Sequence, residues 1–145
     1  MKSLAIIICL FFCTCANDGG GVHLDKCEQI SHAINSGVGL DTQTICDFIL
    51  LKPLQNNAEY LEWRNELLFD LLKLYPEEII TALTKLKRRD RLIFYQELLH
   101  PIHDGIDVSQ LYAQLATKSY NQCKRRSILK EILSVLESLI GDVVC

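Results

Sequence analysis

The chain has three prolines and seven glycines in 145 residues, and none of them gather into a linker or a low-complexity tract. No stretch shows the strict apolar–polar alternation of a half-buried strand. A Gly-x-Ser-x-Gly elbow, a phosphate-binding loop, a His-Glu-x-x-His pair and a dinucleotide glycine signature are all missing. No sequence motif therefore supplies a nucleophile, a phosphate cradle or a metalloprotease helix, and a non-enzymatic protein without cofactor is expected. Cys-x-x-Cys and His-x-x-x-His spacings are also absent, which removes the usual zinc signatures. No Asn-x-Ser/Thr sequon is present, so N-glycosylation is not expected. Beyond residue 16, no apolar run reaches the roughly 18 residues of a membrane span.

Positive charge is in short supply as well. Lys2 is the one cation of the 15 Lys and Arg that lies among the first 16 residues, and all 18 acidic residues follow it; the remainder has net charge −4. A mildly acidic chain is a poor ligand for nucleic acid or for an anionic membrane surface.

What is there begins with Met1–Ala16. Lys2 precedes an unbroken apolar run from Leu4 to Phe12, and Thr14 and Ala16 are small residues at the spacing a signal peptidase accepts. This is the pattern of a secretory signal peptide, too short for a membrane span. A bacterial lipoprotein signal is the competing reading, because Leu10 stands three residues before Cys13. Phe12 is too bulky for the position before a lipidated cysteine, which argues against it. Residues 17–23, with Asn17 to Gly21 at their head, read as a flexible leader. Residues 24–145 read as one domain, secreted and extracellular, of a length that buries a real core.

Four cysteines remain after the signal: Cys27, Cys46, Cys123 and Cys145. In an oxidising compartment an even count favours two disulfides. A continuous helix over 121–140 would hold Cys123 and Cys145 roughly 30 Å apart, well beyond the approximately 7 Å between α-carbons that a disulfide allows. Two pairings then tie the N-terminal hairpin to the last helix. Cys27–Cys123 with Cys46–Cys145 is preferred over Cys27–Cys145 with Cys46–Cys123. A Cys27–Cys46 bond with two free or intermolecular thiols is the alternative.

Helical spacing runs through the whole domain. It gives helices over 24–35, 42–51, 58–74, 77–87, 91–99, 108–118 and 122–140. Ser36 to Gly39 stop the first, Asp41 caps the second, and Asn57 opens the third. Pro76 suits the first turn of the fourth, Asp90 caps the fifth, and Asp107 or Ser109 opens the sixth. The expectation is an all-α, compact bundle of about seven short helices braced by disulfides.

Three constellations merit chemical weighing. His100, His103 and Asp104 could hold zinc, but Pro101 prevents a regular helical pairing of the histidines, and a solvated turn is the simpler reading. The His-Asp pair is also found in secreted phospholipase A2, whose many cysteines and glycine-rich calcium loop are absent. Lys85, Lys87, Arg88, Arg89 and Arg91 form a basic run, and Lys124, Arg125 and Arg126 a second. Such runs are solvated helix ends, patches for an acidic receptor or a sulfated glycan, or prohormone cleavage sites. Cleavage would sever amphipathic helices that the core needs. Trp63, Phe69, Tyr75, Phe94 and Tyr95 fall at helical spacing and read as core.

The stretch from Ala33 to Ile45, with Ser36-Gly37-Val38-Gly39-Leu40-Asp41 at its turn, resembles the helix A–loop–helix B signature of an annexin repeat. Leu67, Leu71, Leu74, Tyr75, Ile79 and Leu83 are similar to the helix C–D part, and Gly105-Ile106-Asp107 echoes a second turn. The likeness covers about 70 residues with one insertion. It implies a helical repeat fold. The family's calcium site needs an acidic residue where this chain has Leu86, so calcium-dependent phospholipid binding is not implied.

Together these readings favour a secreted ligand or effector of cytokine-like, hormone-like or venom/salivary type. It would bind an extracellular protein or receptor through Lys85, Lys87, Arg88, Arg89 and Arg91, because a guanidinium pairs bidentately with carboxylates. The alternative is a carrier of a lipid or other hydrophobic small molecule, since half of the chain is apolar.

Overall fold

A computed structural model describes residues 18–51, 57–102 and 105–142. Among them the chain is all-helical. The seven helices are α1 (Asp18–Ser36), α2 (Thr42–Leu50), α3 (Ala58–Leu74), α4 (Pro76–Lys85), α5 (Arg88–Leu98), α6 (Val108–Ala116) and α7 (Cys123–Asp142). No described helix is long and apolar enough to cross a membrane.

Local chemistry sets most of the boundaries. Gly37 closes α1 in the left-handed region at φ +66°, a conformation that glycine adopts without a Cβ clash. Asp41 then caps α2. Its Oδ1 accepts from the Gln43 and Thr44 amides at 2.9 and 3.0 Å. Asn57 Oδ1 accepts from the Tyr60 amide at 3.0 Å to start α3. Pro76 occupies the first turn of α4, where its missing N–H costs nothing. Asp107 accepts from the Gln110 amide at 2.8 Å and opens α6.

Packing does the rest. α2 lies on α4, α4 and α6 both lie on α7, and α1 lies on α3. The core takes Ile30 from α1, Phe48 from α2, Leu68 and Leu72 from α3, Ile80 and Leu83 from α4, Phe94 from α5, Leu115 from α6, and Ile132 and Leu136 from α7. Each fully buried apolar side chain of this size is worth about 1.5–3 kcal/mol of transfer free energy. Phe69, Phe94 and Tyr95 are buried, and Trp63 and Tyr75 are half-buried against the core. The aromatic spacing is therefore core spacing.

Three expectations change. First, α1 starts at Asp18 and not at Leu24, so most of the 17–23 segment belongs to a helix and not to a flexible leader. Glycines lower helix propensity by about 1 kcal/mol each. A helix already nucleated by its packed half still extends past them. Second, α5 starts at Arg88. The Lys87 carbonyl accepts from the Asp90 and Arg91 amides at 3.0 and 3.1 Å, so Asp90 sits inside the first turn and does not cap it. Third, Cys27, Cys46 and Cys123 are free thiols. Cys27 and Cys46 are buried on α1 and α2, whereas Cys123 is exposed at the head of α7. No disulfide joins these three, and the preferred Cys27–Cys123 bond and the alternative Cys27–Cys46 bond are both unmade. An even cysteine count bears on compartment; helix packing decides geometry. Cys145 lies outside the described residues, as do residues 1–17.

Candidate functional site

α4 and α5 are joined by only Leu86 and Lys87, so the basic run folds into a corner. Leu86 points inward and is buried. Lys85, Lys87, Arg88 and Arg89 are exposed around it. Lys85 stands in the last turn of α4, where its charge suits the helix dipole. The other three do not have that excuse. Lys87 is the N-cap of α5 and gives it no side-chain hydrogen bond. Arg88 and Arg89 occupy the first turn, at the positive end of the dipole, where a cation is unfavourable by a few tenths of a kcal/mol. Asp90 offsets this in part, and Arg89 Nε approaches its Oδ1 at 3.4 Å. Arg89 remains 89 % exposed.

Arg91 leaves this group. Its side chain turns inward, 15 % exposed, donating to the Leu86 carbonyl at 3.2 Å and lying 3.8 Å from Glu131 on α7. Arg88 and Arg91 stand one turn apart on neighbouring faces of α5, but the contacts of Arg91 with Leu86 and Glu131 occupy its guanidinium while Arg88 stays exposed.

The second basic run is structural. Arg125 pairs with Glu77 and stacks on Tyr120, 4.4 Å from the ring centroid. Lys118 and the Tyr120 hydroxyl also reach Glu77, at 3.4 and 2.8 Å. Burial pushes the Glu77 carboxyl up, but Tyr120, Lys118 and Arg125 outweigh it and hold the group below the usual range. Arg126 donates to the Tyr120 and Asn121 carbonyls at 3.2 and 3.3 Å. Lys124 is exposed.

One cluster was missed by sequence reasoning. Arg64 on α3 is 2 % exposed and binds Glu97 on α5 through Nε and Nη2 at 3.2 and 3.0 Å. Its Nη1 donates to the Phe48 carbonyl at 2.8 Å, and its guanidinium lies 4.7 Å from the Phe48 ring centroid. Asn65 donates to the Glu97 carbonyl at 3.2 Å and accepts from the Ile102 amide at 3.0 Å. Burial raises the Glu97 carboxyl against the opposing pull of Arg64. Cys27 and Tyr60 adjoin the cluster, and burial pushes the Cys27 thiol up and the Tyr60 hydroxyl to about 12. Every Arg64 nitrogen has a structural duty, which makes this a clasp between α2, α3 and α5. The available signal was position: Arg64 lies four residues from Tyr60 and three from Leu67, on the apolar stripe itself.

Of two clefts among the described residues, one lies between α3 and α6. It has a volume of about 240 Å³ and is lined by Glu66, Asp70, Lys73 and Asp107 among others. Burial, then the neighbouring Glu66, raise the Asp70 carboxyl, and Asp107 is occupied in capping α6. The other is an open groove between α5 and α7. Neither of these two is an enclosed apolar cavity. No group of three or more His, Cys, Asp or Glu is placed to hold a metal among the described residues. His100 is exposed; His103 and Asp104 lie outside the described residues. Comparison with family models, curated proteins and solved structures finds no match.

Proposed function

We propose that this chain is a secreted, non-enzymatic helical effector that binds an acidic extracellular partner through the α4–α5 corner. The observation that carries this reading is the placement of Lys87, Arg88 and Arg89. All three are exposed at a helix N-terminus that they disfavour. Folding gains little from cations there, whereas a carboxylate-bearing partner would gain two guanidinium forks and an ammonium. The apolar run of Met1–Ala16 supports export.

The test expresses the chain from its own start in a secretory cell and measures the exported protein by intact mass. An N-terminus at Asn17 is expected; a protein retained in the cell with Met1 in place contradicts export. Labelled wild type and the triple variant K87E/R88E/R89E are then compared for binding to the surface of candidate target cells. Loss of at least tenfold in salt-sensitive binding is expected for the variant. Equal binding by both proteins overturns the role of the corner.

A further inference from the structure

The corner continues into the groove between α5 and α7. Arg88, Leu92 and Tyr95 fall on one face of α5 at helical spacing, and Lys130, Glu131 and Val135 face them from α7. The groove has a volume of about 560 Å³ and is open along its length. Its floor is apolar. Leu92 is 51 % exposed and lies one turn before the buried Tyr95. Its rim is basic, with Arg88 on one side and Lys130 on the other, both exposed. Glu131, the one acid in the lining, is already engaged. It accepts from the Tyr95 hydroxyl at 2.6 Å and lies 3.8 Å from Arg91 Nε. The charge that the groove offers an incoming group is therefore positive.

Resting on the reading of the corner as a binding site, we infer that this groove seats an amphipathic segment of a partner protein: an apolar side chain on Leu92 and Val135, flanked by carboxylates that meet Arg88 and Lys130. Charge complementarity selects the flanks. The open apolar floor selects a row of side chains over an enclosed small molecule. Helix-in-groove recognition uses the same division, with apolar anchors for affinity and flanking charge for register. The corner cations Lys87 and Arg89 lie beyond the end of the groove and contribute attraction at longer range.

The experiment selects binders from a displayed library of random peptides on the full exported chain. Enriched peptides are then measured by fluorescence anisotropy on wild type, L92E, K130E and K87E/R89E. Leu92 is half-exposed and Lys130 exposed, so both variants should keep the wild-type circular dichroism spectrum and melting temperature within a few degrees. Val135→Thr, a smaller change at the floor, serves if L92E does not fold. The expected outcome is a consensus of acidic residues around an apolar anchor. Affinity should fall at least tenfold on L92E and K130E, and only a few-fold on K87E/R89E. Acidic peptides that ignore L92E but are lost on K87E/R89E overturn the groove while leaving the corner in place. Peptides indifferent to all three variants overturn both. Phosphatidylserine vesicles and heparin are run beside the peptides: if either binds wild type and loses binding on L92E where no peptide does, the occupant is a lipid surface or a sulfated glycan, and the inference fails.

Discussion

Arg64 shows how much can hang on one side chain. It lies at the junction of three helices, and its five donors are divided between the Glu97 carboxylate and carbonyls in the last turn of α2. The Phe48 carbonyl also accepts from the Leu51 amide at 3.3 Å, so Arg64 reinforces the end of α2. Replacing Arg64 by Met should cost about 3 kcal/mol, because an uncompensated buried carboxylate stays behind. Arg64→Met with Glu97→Met together should recover a large part of it, and urea unfolding of the two variants measures both. Glu77 makes the second prediction at this scale. Its folded carboxyl lies below the ordinary value of about 4.3, so the folded state binds its proton less readily than the unfolded chain does. The stabilisation it brings is full above the ordinary value and lost as pH falls through the folded one. Glu77→Gln should flatten the fall in melting temperature on acidification. At neutral pH it should cost less than about 1 kcal/mol, since the glutamate is nearly half exposed. Glu97 runs the other way: its raised carboxyl favours the folded state at low pH and loses that advantage as pH rises through the folded value.

Helix ends are where the elements were decided. Asp41, Asn57 and Asp107 each accept amides from the first turn they open, and all three were readable as caps from residue type alone. The α1–α2 turn offers a clean contrast. A Cβ on Gly37 or on Gly39 would meet open space, but only Gly37 has positive φ. Gly37→Ala should therefore cost about 1 kcal/mol through backbone strain alone. Gly39→Ala should be neutral or slightly stabilising, because it removes freedom from the unfolded chain. Parallel urea titrations of the two variants distinguish strain from crowding. α5 is an element with a weak start. It has no side-chain cap and carries two arginines against its dipole, so a bound anion should stabilise its first turn.

For the whole molecule, the core is shared by all seven helices, and its two buried thiols sit on the first two of them. Cys27 and Cys46 are 0 % and 4 % exposed, and burial raises both thiols above their ordinary value. Both features suppress thiolate chemistry. A disulfide-exchange reagent should modify Cys123 at once in the native protein. Cys27 and Cys46 should react only in urea, along the same transition as the loss of helix. Peptide-level mass spectrometry follows each site. Early labelling of either buried thiol would mean that α1 or α2 opens without the rest.

The amino-acid sequence determined the class and the count of elements. Periodicity at 3.6 residues, caps and prolines are local signals, and they placed α2, α3, α4, α6 and α7 to within about two residues. The basic run was also legible, since charge is a property of residues. Only the tertiary structure decided which of those charges face outward. Arg91 turns to Glu131 and Arg125 to Glu77, from 40 and 48 residues away, and no local pattern encodes such partners. The same reason hid the Arg64–Glu97 clasp, which joins residues 33 apart. It also left Cys27, Cys46 and Cys123 free where an even count had suggested bonds. A sequence states what each residue can do, and packing chooses which of those things it is free to do.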